Sequence, residues 1–234
     1  MPIATQVCHA AGAAYAFKLH KVPRVAVTIV GDGATSKGDF YEAINMAGVW
    51  RAPLVIVVNN NRWAISMPSE RQTAAATLAQ KAIAAGIEGL QVDGNDIIAV
   101  HEVMRQALDK ARRGDGPTLV EALSYRLGDH TTADDATRYR DPETVAEQWA
   151  SEPIARLRKY LLQSGAWDKT QEEALARSCR EQVESAVESY LAVAPPDVSA
   201  MFEHLYAALP HALEEQWDMA IRFSPGESAE DDHA

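Results

Sequence analysis

The apolar residues of this chain fall into short continuous runs separated by sets with helical spacing. Two runs rich in β-branched residues, at 24–30 and 53–58, have the composition of strands buried on both faces of a parallel sheet. Shorter apolar stretches at 90–92 and 117–123 predict two further strands.

Helices are predicted in the intervals between these strands. The clearest spans 39–50, where four apolar residues share one helical face. Asp96 is placed to cap another helix over 97–113, and further helices are expected at 10–18 and 73–85. This alternation predicts an α/β fold, in which a parallel sheet with right-handed crossovers carries helices on both faces.

The pattern changes in the second half of the chain. A polar segment of roughly 16 residues at 126–142 has no apolar periodicity, and a loop of that length suggests function. Amphipathic helices broken at prolines and a glycine follow. We therefore expect an α/β core at 1–142, a C-terminal helical extension at 143–220 and a disordered acidic tail at 221–234.

Charge and composition exclude several classes of function. The formal net charge of −11 argues against a nucleic-acid partner, which requires clustered Lys and Arg. No apolar run approaches the length of a membrane span, and the first residues lack the basic start of a signal peptide. Cys8 and Cys179 fit no metal-ligand spacing, and two such cysteines are typical of a reducing, cytoplasmic compartment.

The first strand runs into Gly31-Asp32-Gly33 and the second into an asparagine triplet at 59–61. Open parallel sheets bind ligands at the carboxyl edge, where these two strand ends are expected to be neighbours. Asp32 offers a carboxylate oxygen and an asparagine offers an amide oxygen, both of which suit Mg²⁺. Either motif alone is common in ordinary turns, so the hypothesis of a metal site depends on the two together.

Two other phosphate-binding motifs are excluded by position. A dinucleotide-binding G-x-G-x-x-G that begins at Gly31 would need glycine where Ser36 stands. A P-loop that begins at Gly33 would need lysine where Asp39 stands.

The segments GDGATSKGDFYEAINMAG and NNNRWAIS together resemble the thiamine diphosphate motif. With QKAIAAGIEGLQVDGND and GDHTTADDATRYR, the sequence from about residue 2 to 215 resembles the alpha subunit of the pyruvate dehydrogenase component of 2-oxo acid dehydrogenase complexes. The resemblance implies the thiamine diphosphate-binding fold, with thiamine diphosphate and Mg²⁺ as cofactors.

The resemblance also implies roles for individual residues. Asp32, Asn61 and the backbone carbonyl of Trp63 match the magnesium ligands, with Asn60 as the partner of Asn61. The remaining matches contact the cofactor, the first two through backbone N–H groups that face the diphosphate: Gly33, Ala34 and Ile3.

His130, in the long polar loop, matches the active-site histidine of the family, which lies close to the cofactor diphosphate. A histidine suits proton donation near neutral pH, whereas most histidines in polar loops are idle and exposed. Ion pairs are expected to brace this loop. Thr131 stands where relatives carry a phosphorylated serine, but nothing in this sequence predicts such regulation. The charged and aromatic residues expected to brace the loop are Asp134, Asp135, Arg138, Tyr139 and Arg140.

The resemblance further implies a heterotetramer with a beta subunit, which supplies the glutamate that activates the cofactor, and transfer of the acyl group to a lipoyl-bearing acyltransferase. The expected activity is oxidative decarboxylation of pyruvate. Branched-chain 2-oxo acids and acetoin remain alternative substrates. Because the family carries a further N-terminal stretch with a diphosphate-binding arginine, a miscalled gene start, a split gene, an N-terminally truncated chain and an inactive assembly fragment are also left open.

Overall fold

The computed structural model describes residues 3–224. Its main sheet has four parallel strands in the order β1-β2-β6-β5, and a two-stranded antiparallel hairpin lies between β2 and β5 in sequence. The strands are β1 (Ala26–Gly31), β2 (Leu54–Asn60), β3 (Trp63–Ala64), β4 (Met67–Pro68), β5 (Glu88–Asp93) and β6 (Thr118–Leu123).

Helices of very different lengths follow the strands and fill the C-terminal part. They are α1 (Thr5–Leu19), α2 (Gly38–Val49), α3 (Lys81–Ala84), α4 (Ile97–Arg112), α5 (Pro142–Gln148), α6 (Pro153–Gln163), α7 (Lys169–Leu191), α8 (Ala200–Glu203) and α9 (His211–Arg222). Short 3-10 turns occupy Asp32–Ser36, Ser69–Arg71, Ala136–Arg138 and Trp149–Ser151. Within residues 3–224, no helix is both long and apolar enough to span a membrane.

Strand β2 shows why the sheet has helices on both faces. Its alternate residues Leu54, Ile56 and Val58 belong to one apolar cluster with α1 and α2. Val55 and Val57 belong to a second cluster with α4, β5 and β6. Because successive strand side chains point to opposite faces, the two clusters lie on the two sides of the sheet. The predicted α/β fold class is therefore confirmed.

The predicted helix over 73–85 is wrong for most of its length, since only Lys81–Ala84 is helical. The hydroxyl of Thr73 accepts a hydrogen bond from the backbone N–H of Ala75, and that of Thr77 accepts one from Gln80. Such local side-chain bonds compete with the helical backbone pattern. The alanine-rich composition of this segment is therefore overridden by its two threonines.

The predicted capping of α4 is confirmed. The carboxylate of Asp96 accepts hydrogen bonds from the backbone N–H groups of Ile98 and Ala99, which have no partner inside the helix. Arg156 of α6 also donates to the second oxygen of Asp96 at 2.9 Å and to Asp93 at 2.5 Å. These bonds attach α6 to the carboxyl end of β5.

The contacts divide the chain into two units, 1–167 and 168–234. Helices α5 and α6 thus group with the sheet, and the second unit begins with the capping box of α7, formed by Asp168 and Gln171. The predicted domain boundary at residue 142 stays a prediction. Of the predicted acidic tail, residues 225–234 lie outside the described residues.

Candidate functional site

The ends of β1 and β2 lie side by side at the carboxyl edge of the sheet. Gly31 pairs with Asn59 in the parallel register, so that Asp32, just after β1, and Asn60, the last residue of β2, come next in the two segments. Both side chains are buried, with 3% exposure for Asp32 and 6% for Asn60. The Ser69 hydroxyl lies 3.4 Å from Asp32 Oδ2 and 3.4 Å from Asn60 Oδ1. A carboxylate and an amide oxygen therefore share one small polar space.

Asp32 is a buried carboxylate whose hydrogen-bonding partners are neutral. Besides Ser69, Gln72 donates to its Oδ2 at 2.9 Å. None of the ion pairs found within residues 3–224 includes Asp32. A buried charge is usually compensated by an opposite charge or a metal ion. The donor set around Asp32 therefore fits a divalent cation.

The residues after β2 form a turn held by their own side chains. Asn60 Oδ1 accepts from the backbone N–H of Arg62 at 3.1 Å, and Asn61 Oδ1 accepts from that of Trp63 at 3.0 Å. Arg62 adopts φ of 72°, which non-glycine residues rarely do. The Ser69 hydroxyl next to Asp32 also contacts the side-chain oxygen of Asn60, and not that of the predicted ligand Asn61. The backbone carbonyl of Trp63 accepts from Arg126 Nη1 at 3.5 Å.

Gly33 and Ala34 lie in the 3-10 turn that follows β1. A Cβ on Gly33 would come within 2.6 Å of the Cβ of Ala64, so that the β3–β4 hairpin packs directly on the glycine backbone. Only glycine permits this approach without displacing the hairpin. The close contact brings the Gly-Asp-Gly motif and the asparagine turn into one compact site.

A buried lysine anchors the same 3-10 turn from the other side. Lys81 Nζ, at the start of α3, donates to the carbonyl and the hydroxyl of Thr35 at 2.8 and 2.9 Å. The Thr35 hydroxyl in turn donates to the backbone carbonyl of Asp32 at 2.7 Å. Since Lys81 is 6% exposed and Thr35 is fully buried, this chain of bonds is shielded from water and fixes the backbone beneath Asp32.

The predicted active-site loop is attached to the asparagine turn by Arg126 and Tyr139. Arg126 Nη2 donates to the carbonyl of Ile65 and to the Tyr139 hydroxyl at 2.9 and 2.8 Å. The Tyr139 ring also lies 5.6 Å from the ring of Trp63, between centroids. The loop that carries His130 is thus held against the turn that carries the predicted ligands.

The side chain of His130 is exposed, and its backbone N–H donates to Asp134 Oδ2 at 2.8 Å. The Tyr139 hydroxyl donates to the same oxygen and lowers the pKa of the Asp134 carboxyl. Burial, followed by this bond, raises the pKa of Tyr139. These contacts fix the backbone at His130 while its imidazole remains accessible from solvent.

The expectation that ion pairs brace this loop is wrong, because its charged side chains form hydrogen bonds with backbone groups instead. Arg140, which is 7% exposed, donates instead to the backbone carbonyls of Arg126 and Gly128. Asp129 and Asp135 accept from the backbone N–H groups of Ala136 and Thr137. A loop without regular structure leaves many backbone groups unpaired, and its charged side chains satisfy them. Within residues 3–224, no ion pair joins the acids and arginines of 126–141 to each other.

Ile3 lies immediately before α1 and is 46% exposed. The neighbouring Ala4 is fully buried with φ of 65°, and Gln6 donates to the carbonyl of Ile29 in β1. The structure therefore attaches the start of α1 to the first strand but leaves the Ile3 side chain half exposed.

Several residues of the site were not identified from the sequence. Ser69 and Gln72 lie in a segment without a recognisable pattern, and Lys81 lies in a predicted helix where nothing marks this lysine as part of the site. Glu121 did carry a signal, because an acidic residue in the middle of the apolar strand 117–123 needs a partner. Within residues 3–224, no group of three or more His, Cys, Asp and Glu side chains could hold a metal, so a cation here would need amide and carbonyl oxygens in addition to the Asp32 carboxylate.

Comparison with known proteins gives consistent matches along most of the chain. The family model described as "Dehydrogenase E1 component" matches residues 1–197. The 3-methyl-2-oxobutanoate dehydrogenase subunit alpha of Mycobacterium tuberculosis (strain ATCC 25618 / H37Rv) is 49% identical over 221 residues, which cover 92% of this chain and 59% of the relative. The pyruvate dehydrogenase E1 component subunit alpha of Staphylococcus aureus (strain N315) is 43% identical over 218 residues, which cover 93% and 59%. The chain thus spans 59% of the length of these relatives.

Proposed function

Because this chain belongs to the dehydrogenase E1 component family, we propose that it supplies the magnesium–diphosphate half of a thiamine diphosphate site in a 2-oxo acid dehydrogenase. The other half, including the glutamate that activates the cofactor, comes from a beta subunit. The observation that carries this proposal is the buried Asp32 carboxylate, which shares a polar space with an asparagine oxygen and whose hydrogen-bond partners among residues 3–224 are neutral.

Asp32, Asn61 and the carbonyl of Trp63 hold Mg²⁺ in this proposal, and the ion holds the diphosphate. Gly33 and Ala34 place their backbone beside the diphosphate, and Ile3 contacts the cofactor. Asn60 Oδ1 lies near the Ser69 hydroxyl that also contacts Asp32, which supports a contribution from the Asn60 amide to the ion as well. When bound, thiamine diphosphate supplies the nucleophile and the electron sink for decarboxylation of a 2-oxo acid.

His130 donates a proton to the reacting group, or places a positive charge beside it. It also assists transfer of the acyl group to a lipoyl-bearing acyltransferase component. Its exposed imidazole on a loop with a fixed backbone supports this role. Arg126 and Tyr139 keep the loop against the cofactor-binding turn, so that proton transfer and cofactor binding occur at one place.

Magnesium-dependent binding tests the cation site. Asp32→Asn keeps an oxygen that can accept from Gln72 and Ser69 but removes the charge. Titration of thiamine diphosphate in Mg²⁺, with the full chain co-expressed with a beta subunit, should show affinity reduced by roughly 10- to 100-fold or more, because the ion loses the negative charge of its carboxylate ligand. Asp115→Asn, an exposed substitution of the same kind, is the matched control and should bind as the unmodified chain does. Retained binding in Asp32→Asn would sink the proposal.

The choice between Asn60 and Asn61 is made by the same titration. Asn61→Ala should abolish magnesium-dependent binding if its oxygen is the ligand, while Asn60→Ala should weaken binding through the turn. The opposite ranking would move the ligand to Asn60, which is the residue on the hydroxyl shared with Asp32.

Pyruvate, a branched-chain 2-oxo acid and acetoin are the candidate substrates. The resemblance favours pyruvate, and the 49% identity to a 3-methyl-2-oxobutanoate dehydrogenase subunit favours a branched-chain 2-oxo acid. Turnover by the reconstituted pair should be measured with both acids and with acetoin, at equal concentration, and the highest kcat/KM identifies the substrate. A pair that binds the cofactor but turns over none of them would favour a non-catalytic assembly role.

A further inference from the structure

Glu121 is a buried carboxylate behind the cofactor-binding turn. It is 1% exposed in the centre of β6, where Val58 of β2 is its partner in the register. Side chains two residues apart on a strand share a face, so Asn60 lies on the same face as Val58 and is the diagonal neighbour of Glu121. Within residues 3–224, none of the ion pairs includes Glu121.

Three N–H donors converge on this carboxylate. Asn60 Nδ2 donates to Oε1 at 2.7 Å, the backbone N–H of Ala79 donates to Oε2 at 3.0 Å, and Gln91 Nε2 donates to Oε2 at 3.1 Å. An ionised carboxylate accepts all three, because it has acceptor sites only. An amide in place of Glu121 has one oxygen and two hydrogens, so it would oppose at least one of these donors.

The carboxylate also fixes which way the Asn60 amide faces. With Nδ2 held by Glu121, Oδ1 must point to the opposite side, where it accepts from the backbone N–H of Arg62 at 3.1 Å and lies 3.4 Å from the Ser69 hydroxyl. The bond that Asn60 Nδ2 donates to Glu121 and the bond that Asn60 Oδ1 accepts from Arg62 both require the same orientation of the amide. The bond to Arg62 holds a residue with φ of 72°, from which the chain continues to Trp63.

We propose that Glu121 is a positioning residue of the cation site. It holds the Asn60 carboxamide with its oxygen toward Ser69 and Asp32, and through the bond from Arg62 it maintains the turn that presents Asn61 and the Trp63 carbonyl. This inference rests on the proposed function for its effect on cofactor binding, whereas the effect on the Asn60 amide is independent of any cofactor.

The test combines amide exchange with cofactor titration. In the full chain, the side-chain NH₂ of Asn60 should exchange slowly with solvent by NMR, and Glu121→Gln should make it exchange fast. In the chain co-expressed with a beta subunit, Glu121→Gln should weaken thiamine diphosphate binding in Mg²⁺ by roughly 10- to 100-fold, which is typical when a residue that orients a metal ligand is lost. Gln91→Ala removes another donor to Glu121 but leaves the Asn60 bond, and should leave affinity unchanged.

A purely structural role is distinguished by repeating Glu121→Gln in an Asn60→Ala background. If Glu121 acts through Asn60, the second substitution should add no further loss of affinity, and an undiminished loss there would overturn the proposal. An unchanged Asn60 exchange rate in Glu121→Gln would also overturn it. Should Glu121→Gln fail to fold, fast exchange of the Asn60 amide in the unmodified chain is the refuting result. Absence of cofactor binding by the unmodified pair would refute the proposed function alone, and the exchange data would still decide the orientation of Asn60.

Discussion

The contact between Gly33 and Ala64 allows a sharp test of how the two halves of the site fit together. A Cβ on Gly33 would lie 2.6 Å from the Ala64 Cβ, whereas two carbon atoms pack best at about 3.5–4.0 Å. Gly33→Ala therefore forces the β3–β4 hairpin away from the 3-10 turn by about 1 Å. Overpacking of this size costs about 1–3 kcal/mol of unfolding free energy.

Two further variants make this prediction specific. Gly31→Ala is the matched control, because a Cβ there meets nothing within 4 Å and its φ of −79° suits alanine. Its free energy of unfolding should stay within about 0.5 kcal/mol of the original. Ala64→Gly removes the atom that Gly33→Ala would strike, and should by itself cost about 0.5–1 kcal/mol.

The assay is equilibrium denaturation in urea, followed by circular dichroism at one temperature and protein concentration. The double variant Gly33→Ala/Ala64→Gly should be more stable than the sum of the single losses predicts, because the clash exists only when both Cβ atoms are present. Strict additivity, or a loss in Gly31→Ala as large as that in Gly33→Ala, would refute the close packing of the hairpin on the turn.

Two other predictions concern the N-cap of α4 and the predicted active-site loop. Asp96→Ala removes both cap bonds of α4 and should cost about 1 kcal/mol in the same denaturation assay; Asp96→Asn should retain most of that stability, and equal losses would argue against the cap. The pKa of Asp134 lies below its usual 3.8 because the Tyr139 hydroxyl donates to it, so its contribution to stability is complete above that pH and is lost as the pH falls through the lower, folded-state pKa. Tyr139→Phe should raise the Asp134 pKa in an NMR titration of the carboxyl carbon, and an unchanged pKa would show that the bond is absent in solution.

The parts of the fold that follow from local pattern were predictable from the sequence. The β-branched runs at 24–30 and 53–58 became β1 and β2, and Asp96 marked the start of α4 as expected. The order of the strands was not predictable, because insertion of β6 between β2 and β5 depends on packing between segments far apart in sequence. The helix predicted at 73–85 does not form where threonine hydroxyls accept hydrogen bonds from nearby backbone N–H groups.

The candidate site shows the same division. The position of Asp32 beside the end of β2 follows from parallel pairing of two consecutive strands, which the sequence indicates. Which asparagine faces Asp32 does not follow, because it depends on where β2 ends: Asn60 is still in the strand, whereas Asn61 lies in the turn that is held by its own side chain. Ser69 and Gln72 reach the site from a short turn, and Lys81 from the start of α3, and only the three-dimensional contacts identify them.

The segment 72–81 is tied at both ends to the same five-residue turn. Gln72 donates to Asp32 at one end, and Lys81 donates to Thr35 at the other, while Ala74 and Ala76 between them are exposed. A protease that cuts the peptide chain near these alanines would consequently produce two fragments that stay associated through their hydrogen bonds to the turn. The nicked protein should run as two bands after denaturation, yet retain the shape of the proposed cation site in the native state.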